Sequence, residues 1–132
     1  KRRRMHLNSA FANPMNLDGI ARMFPEMTFI MAHSGYPYFL EAWSVAYANS
    51  NVYVDISGSG PWTEGIPVLF NAMGGAAFIP IDFDRVLWGS DNCLPQKESI
   101  ARAVMYLRQM GADKHQRAKV LGGNAERLFR LG

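Results

Sequence analysis

Three short runs dense in β-branched and aromatic residues constrain this chain most: TFIMAH at 28–33, NVYVDIS at 51–57 and RVLWGSD at 85–91. Each reads as a strand. Over most of their length they lack the alternation of apolar and polar residues that a half-exposed strand shows, as expected when both sheet faces are buried. Polar residues gather instead at the end of each run, as His33 and Ser34, Asp55 and Ser57, and Ser90 and Asp91.

Helical patterns separate the runs. Residues 37–49 carry Phe39, Leu40, Trp43, Ala46 and Tyr47 at three- and four-residue spacing, the mark of an amphipathic helix. Residues 63–73 form a less regular segment with Thr63 as N-cap and Gly74-Gly75 as its stop. Residues 96–110 place Ile100, Val104, Leu107 and Met110 on one stripe ending at Gly111. Asp113 then caps KHQRAKVL, which Gly122-Gly123 terminates, and Asn124 caps a short final helix. Ahead of the first run, Asn13 and Pro14 form an N-cap and first-turn pair for a helix to about Met23, stopped by Pro25. Strictly alternating helices and strands imply parallel pairing through right-handed crossovers, with helices covering the sheet.

Composition limits the function classes. The chain of 132 residues is 48% hydrophobic, enough for one core and one domain over 1–132. It holds no apolar window long enough to span a bilayer and no apolar stretch after the basic start that would serve as a signal. The net charge is +3, and Lys1, Arg2, Arg3 and Arg4 more than account for it, so neither nucleic acid nor membrane is an expected partner. Cys93 stands alone, which fits a reducing compartment and places the expected location in the cytoplasm. The opening KRRRMHLNS has no initiating Met, and a cut or processed start is the expectation.

Parallel strands carry their polar ends to one rim, where ligands of α/β sheets and barrels bind. An imidazole on one strand and a carboxylate two strands on suit a borderline divalent cation or an acid/base pair. A strand-end Asp that caps the next turn and a hydrogen-bonded structural His are the competing readings at the same positions.

FPEMTFIMAHSG, NVYVDIS, DRVLWGSD and VLGGNAERLFRL, in that order and spacing, resemble the carboxyl-terminal half of the amidohydrolase superfamily, specifically the amidohydrolase-related group containing aminocarboxymuconate semialdehyde decarboxylase and resorcylate-type decarboxylases. The resemblance implies an α/β fold of the (β/α)8 TIM-barrel type, here strands five to eight with their helices. It also implies a divalent metal, zinc first and manganese second, and hydrolysis or non-oxidative decarboxylation of a small carboxylated substrate. Asp91 falls on the superfamily's strand-eight aspartate, a metal ligand that exchanges a proton with bound water. His33 falls on the strand-six histidine, which polarises or protonates the substrate. His6 resembles the strand-five metal ligand, although four cations precede it where an apolar strand belongs.

Asp55, Trp62 and Tyr36 are the candidate substrate contacts, and His115 reads as a solvated helix residue. The first-strand H-x-H or E-x-H pair of that superfamily is absent, and the length is about half of the roughly 250 residues of a typical barrel. The expected partners are therefore a missing amino-terminal half or a second copy in a homo-oligomer, since open sheet edges favour pairing. Two rivals stand beside the enzyme: a non-catalytic half-barrel serving as a fragment or assembly module, and a TatD-like metal nuclease, whose acidic strand end GSD replaces here.

Overall fold

The computed structural model describes residues 9–58, 67–68, 70–72, 82–91 and 95–131. The expectations for His6, Trp62, Cys93, Thr63 and Gly74-Gly75 lie outside the described residues. Within them, helices and strands alternate as the sequence predicts: α1 (Met15–Met23), β1 (Phe29–Met31), α2 (Phe39–Ala48), β2 (Val52–Asp55), β3 (Val86–Leu87), α3 (Gln96–Gln109), α4 (Lys114–Ala118) and α5 (Asn124–Phe129). Residues 67, 68 and 70 to 72 are also helical. The strands form one sheet in the order β1-β2-β3. Both pairings are parallel, with Met31 opposite Val54 and Asp55 opposite Leu87.

Asn13 and Pro14 start α1 as read from the sequence: the Asn13 Oδ1 accepts the Met15 N–H at 2.9 Å. The amino ends of the strands are held by amides and one guanidinium. Asn51 Nδ2 donates to the carbonyls of Ala21, Phe24 and Met27 at 3.0, 3.0 and 2.9 Å, tying the exit of α1 to the entry of β2. Arg85 donates to the carbonyls of Ala46 and Asn49 at the end of α2, and its Nε pairs with Asp82 at 2.7 Å. Arg85 thus sits at the base of β3, far from the polar rim.

The core lies between the sheet and α2. Met31, Val52, Val54 and Val86 pack there with Ala42, Trp43, Val45 and Ala46. The expectation that both sheet faces are buried is not met. Ile30, opposite Tyr53, is 41% exposed, and Tyr53 and Asp55 are half-buried. Barrel strands send alternate residues outward to helices and inward to the barrel axis, and only strands from across the barrel cover the inward set.

Two helix expectations shift. In α3 the buried stripe is Ser99, Ala103, Tyr106, Leu107 and Met110, one step round from the one read off the sequence, leaving Ile100 and Val104 half-buried. Gly111 ends the helix with φ +81°. Asp113 caps α4 through a full capping box with Gln116, at 2.8 Å in both directions. Gly122-Gly123 does not terminate it: Lys119–Gly123 forms a π-helical turn leading directly into α5. In this wider turn the Val120 carbonyl accepts the Trp88 N–H at 3.1 Å, joining the helix to the end of β3.

Asn124 is not a cap. It is 0% exposed, and its Nδ2 donates at 2.7 Å to the carbonyls of both Phe83 and Val86. A Gly-Gly pair read as a stop because glycine is costly in helices. Here docking on β3 outweighs that propensity.

Among the described glycines, the one in the turn after β1 has the closest neighbours. Gly35 has φ +71°, and a Cβ there would lie 2.5 Å from the Ala42 Cβ and 2.8 Å from the Pro14 Cγ. Only glycine lets this turn press against α2 and the start of α1.

Three outcomes test this account. Asn124→Ala strips two buried carbonyls of their donor and lowers unfolding free energy by about 2–4 kcal/mol in urea titration. Gly35→Ala combines overpacking with an unfavourable φ and costs about 2 kcal/mol or more in the same measurement. The Lys119 ammonium, 2.7 Å from the Asp84 carboxylate, holds that carboxyl below its ordinary value of 3.8. A depressed carboxylate stabilises the fold above its unfolded pKa and loses that contribution as pH falls through the folded one. Lys119→Met therefore lowers the thermal midpoint near neutrality, and the difference from the native chain vanishes in acid below that range.

Candidate functional site

At the carboxyl edge of the sheet, the tails of β1, β2 and β3 leave side by side. Met31 and Val54 are register partners, as are Asp55 and Leu87. His33 lies two residues past the end of β1, Ser57 two past β2 and Asp91 four past β3. Parallel pairing alone puts all three tails on one rim. Ser57 ties two of them together: its Oγ lies 3.1 Å from the His33 Nδ1, and its carbonyl oxygen lies 3.4 Å from the same nitrogen.

The backbone at this rim is unusual. His33 (φ 52°, ψ 35°), Ser34 (φ 53°, ψ 29°) and Gly35 (φ 71°) are three consecutive left-handed residues. Asp91 has φ 49°, so of the four described non-glycine residues with positive φ, three lie at this edge and only Arg130 lies elsewhere. His and Asp tolerate the left-handed region better than most residues, yet each such residue still costs roughly 1–3 kcal/mol. The β1 turn is held against that cost. Ser34, 0% exposed, donates its hydroxyl to the Asp55 carbonyl at 3.2 Å, and the His33 and Gly35 carbonyls accept the N–H groups of Tyr36 and Tyr38 at 3.0 and 2.8 Å.

Asp55 works locally: its Oδ1 accepts the Ser57 N–H and closes a turn at the end of β2. Asp55 and Ser34 thereby fix Ser57 from the backbone side. On its other flank is Gly89, where a Cβ would sit 3.2 Å from the Ser57 Cβ. The central strand's tail is thus wedged between the tails of its neighbours.

Tyr36 is 42% exposed just beyond His33, its ring edge-on to Phe39 with centroids 5.6 Å apart. Asp91 is exposed at the rim, and His115 is exposed on α4, as its polar neighbours implied. His6 and Trp62 lie outside the described residues. Reading the sequence placed Ser57 among the rim residues without giving it a part. Its contact with His33 spans 24 positions, and nothing local in NVYVDIS announces it.

Histidine and carboxylate are donors that a borderline divalent cation takes. Among the described residues no three His, Cys, Asp or Glu side chains converge, while a catalytic zinc uses three protein ligands. His33 and Asp91 would therefore hold a metal only together with ligands from outside the described residues. Among the described residues no helix is long and apolar enough to cross a membrane.

Comparison with known proteins agrees with the parallel α/β sheet. A TIM-barrel protein of Bordetella bronchiseptica superposes with a TM-score of 0.67 at 24% identity, covering 93% of this chain and 41% of that one. A likeness at that identity shows the fold, an α/β barrel of which this chain spans a part. The protein fluG of Emericella nidulans is 38% identical over 50 residues, which is 38% of this chain and 6% of that protein. The chain thus spans under half the length of either. Residues 5–131 match the amidohydrolase family, whose members generally bind divalent metals. The match runs through all three strand tails and the final helix, and the chain belongs to that amidohydrolase family.

Proposed function

We propose that this chain supplies the carboxyl-terminal part of the active-site rim of a metal-assisted hydrolase or non-oxidative decarboxylase. The substrate is a small carboxylated molecule. The observation that carries the reading is that His33 and Asp91 leave the carboxyl ends of parallel strands joined through β2, each in left-handed backbone.

In this reading Asp91 is a metal ligand and a proton acceptor, and His6 is a further ligand. A bound divalent cation, zinc in the first instance and manganese in the second, supplies Lewis acidity and lowers the pKa of water at the site. The chain's own groups do the rest. The Asp91 carboxylate takes a proton at the rim, and the His33 imidazole exchanges a proton with the substrate or polarises its carbonyl. Tyr36 and Trp62 border the substrate, while Asp55 acts through the turn it closes. Family membership supports the reaction class. The decarboxylase branch rests on the likeness of AHSG, GSD and NAERL to that group's motifs.

The half-covered sheet face at Ile30 and Tyr53 favours completion by further barrel strands, supplied by an amino-terminal segment or by a second copy of the chain. It also keeps a second reading in play, in which the chain is a docking module without chemistry of its own.

Metal binding separates the two. Calorimetric titration of the purified chain with zinc or manganese, at concentrations that span its oligomeric states, should show stoichiometric binding. Asp91→Ala should weaken it at least about tenfold, the loss that even outer partners of a ligand cause. Absence of binding in every oligomeric state, with Asp91→Ala indistinguishable from the native chain, overturns the enzyme reading and leaves the docking module.

A further inference from the structure

We infer that Ser57 is the positioning residue for His33: it holds the imidazole in the Nδ1–H tautomer, so that Nε2 carries the lone pair offered at the rim. The use made of that lone pair rests on the proposed function, whereas the tautomer does not.

Lone pairs decide the tautomer. The His33 Nδ1 faces two oxygens of the same residue, the Ser57 Oγ at 3.1 Å and the Ser57 carbonyl at 3.4 Å. A hydroxyl donates or accepts, but a carbonyl oxygen only accepts. An unprotonated Nδ1 would therefore turn its lone pair toward that of the carbonyl. A proton on Nδ1 makes both oxygens acceptors and removes the conflict. The ring then has one proton on the sheet side and one basic nitrogen on the other, the arrangement in which an outer hydrogen bond fixes both tautomer and ring direction. Free histidine side chains in water favour the opposite tautomer, with the proton on Nε2, so the protein must impose this one.

Ser57 is built to impose it. It is 5% exposed, its N–H is taken by Asp55, and Gly89 packs on its far side, where an added Cβ would lie 3.2 Å from the Ser57 Cβ. Ser34, next to His33, bonds the Asp55 carbonyl at 3.2 Å, so the turn carrying the imidazole and the turn carrying the serine share one hydrogen-bonded frame. The backbone is left-handed at His33 and Ser34, and the ring of this turn lies against Ser57, just past the end of β2. Ordinary packing would be served as well by alanine at position 57. The alignment of two oxygens on one ring nitrogen would not.

Nitrogen-15 NMR of the metal-free chain, at a pH where imidazole is neutral, reads the tautomer directly. The His33 signals are assigned by their loss in His33→Gln. In the native chain Nδ1 should be the protonated nitrogen and Nε2 the unprotonated one. In Ser57→Ala the hydroxyl, which pairs with either tautomer, is lost while the carbonyl, which only accepts, stays in place, so Nδ1 should remain the protonated nitrogen. A native chain with Nε2 protonated overturns the inference without any variant. Movement of the proton to Nε2 in Ser57→Ala overturns the assignment of the tautomer to the Ser57 carbonyl. Because no metal is present, a chain that shows the expected tautomer and then fails to bind zinc keeps the role of Ser57 and loses only the metal-centre reading.

Discussion

The parallel main-chain ladder through β2 is the constraint on which the rim depends. Met31 pairs with Val54 and Asp55 with Leu87, so three tails far apart in sequence leave the sheet at one edge and in one direction. Antiparallel pairing of any one strand would send its polar end to the opposite edge, and no choice of side chains could then bring His33, Ser57 and Asp91 to a common side. The amides and guanidinium at the base serve this ladder. Asn51 and Arg85 satisfy helix-end carbonyls that would otherwise be stranded beside the strands' amino ends, leaving the carboxyl edge free for chemistry.

Strain is concentrated where the chemistry is proposed. Three left-handed residues follow β1, and another lies at Asp91 after β3. Their cost is met by contacts with steep penalties for change: the buried Ser34 hydroxyl on the Asp55 carbonyl, the Asp55 carboxylate on the Ser57 N–H, and the glycine at position 35, where neighbours approach too closely for a side chain. A frame of this kind fixes side-chain direction more firmly than a mobile loop would, which is what an acid/base or ligand group requires.

Much of the fold was legible in the sequence because it is written in local terms. Alternating strand and helix patterns predicted the element order, and Asn13-Pro14 and Asp113 predicted two helix starts that the structure contains. The differences share a cause. Gly122-Gly123 and Asn124 prefer a helix stop and a cap in isolation, but docking on β3 draws the helix through as a π-turn and buries Asn124 on two carbonyls. The unbroken apolar look of the strands implied two covered faces. In the fold one face meets α2 and the other is left half-open at Ile30 and Tyr53.

The sequence by itself determined that this chain is an alternating α/β unit with parallel strands, and that its polar residues gather where such strands end. Apolar periodicity and turn chemistry act over a few residues, so they survive in a linear reading. Tertiary structure alone decided that His33 meets Ser57 and that Asn124 joins a helix to a strand. Those contacts join positions 24 or more apart, or depend on backbone angles imposed by neighbours. Their energy comes from burial and hydrogen-bond geometry that exist only once the sheet has formed.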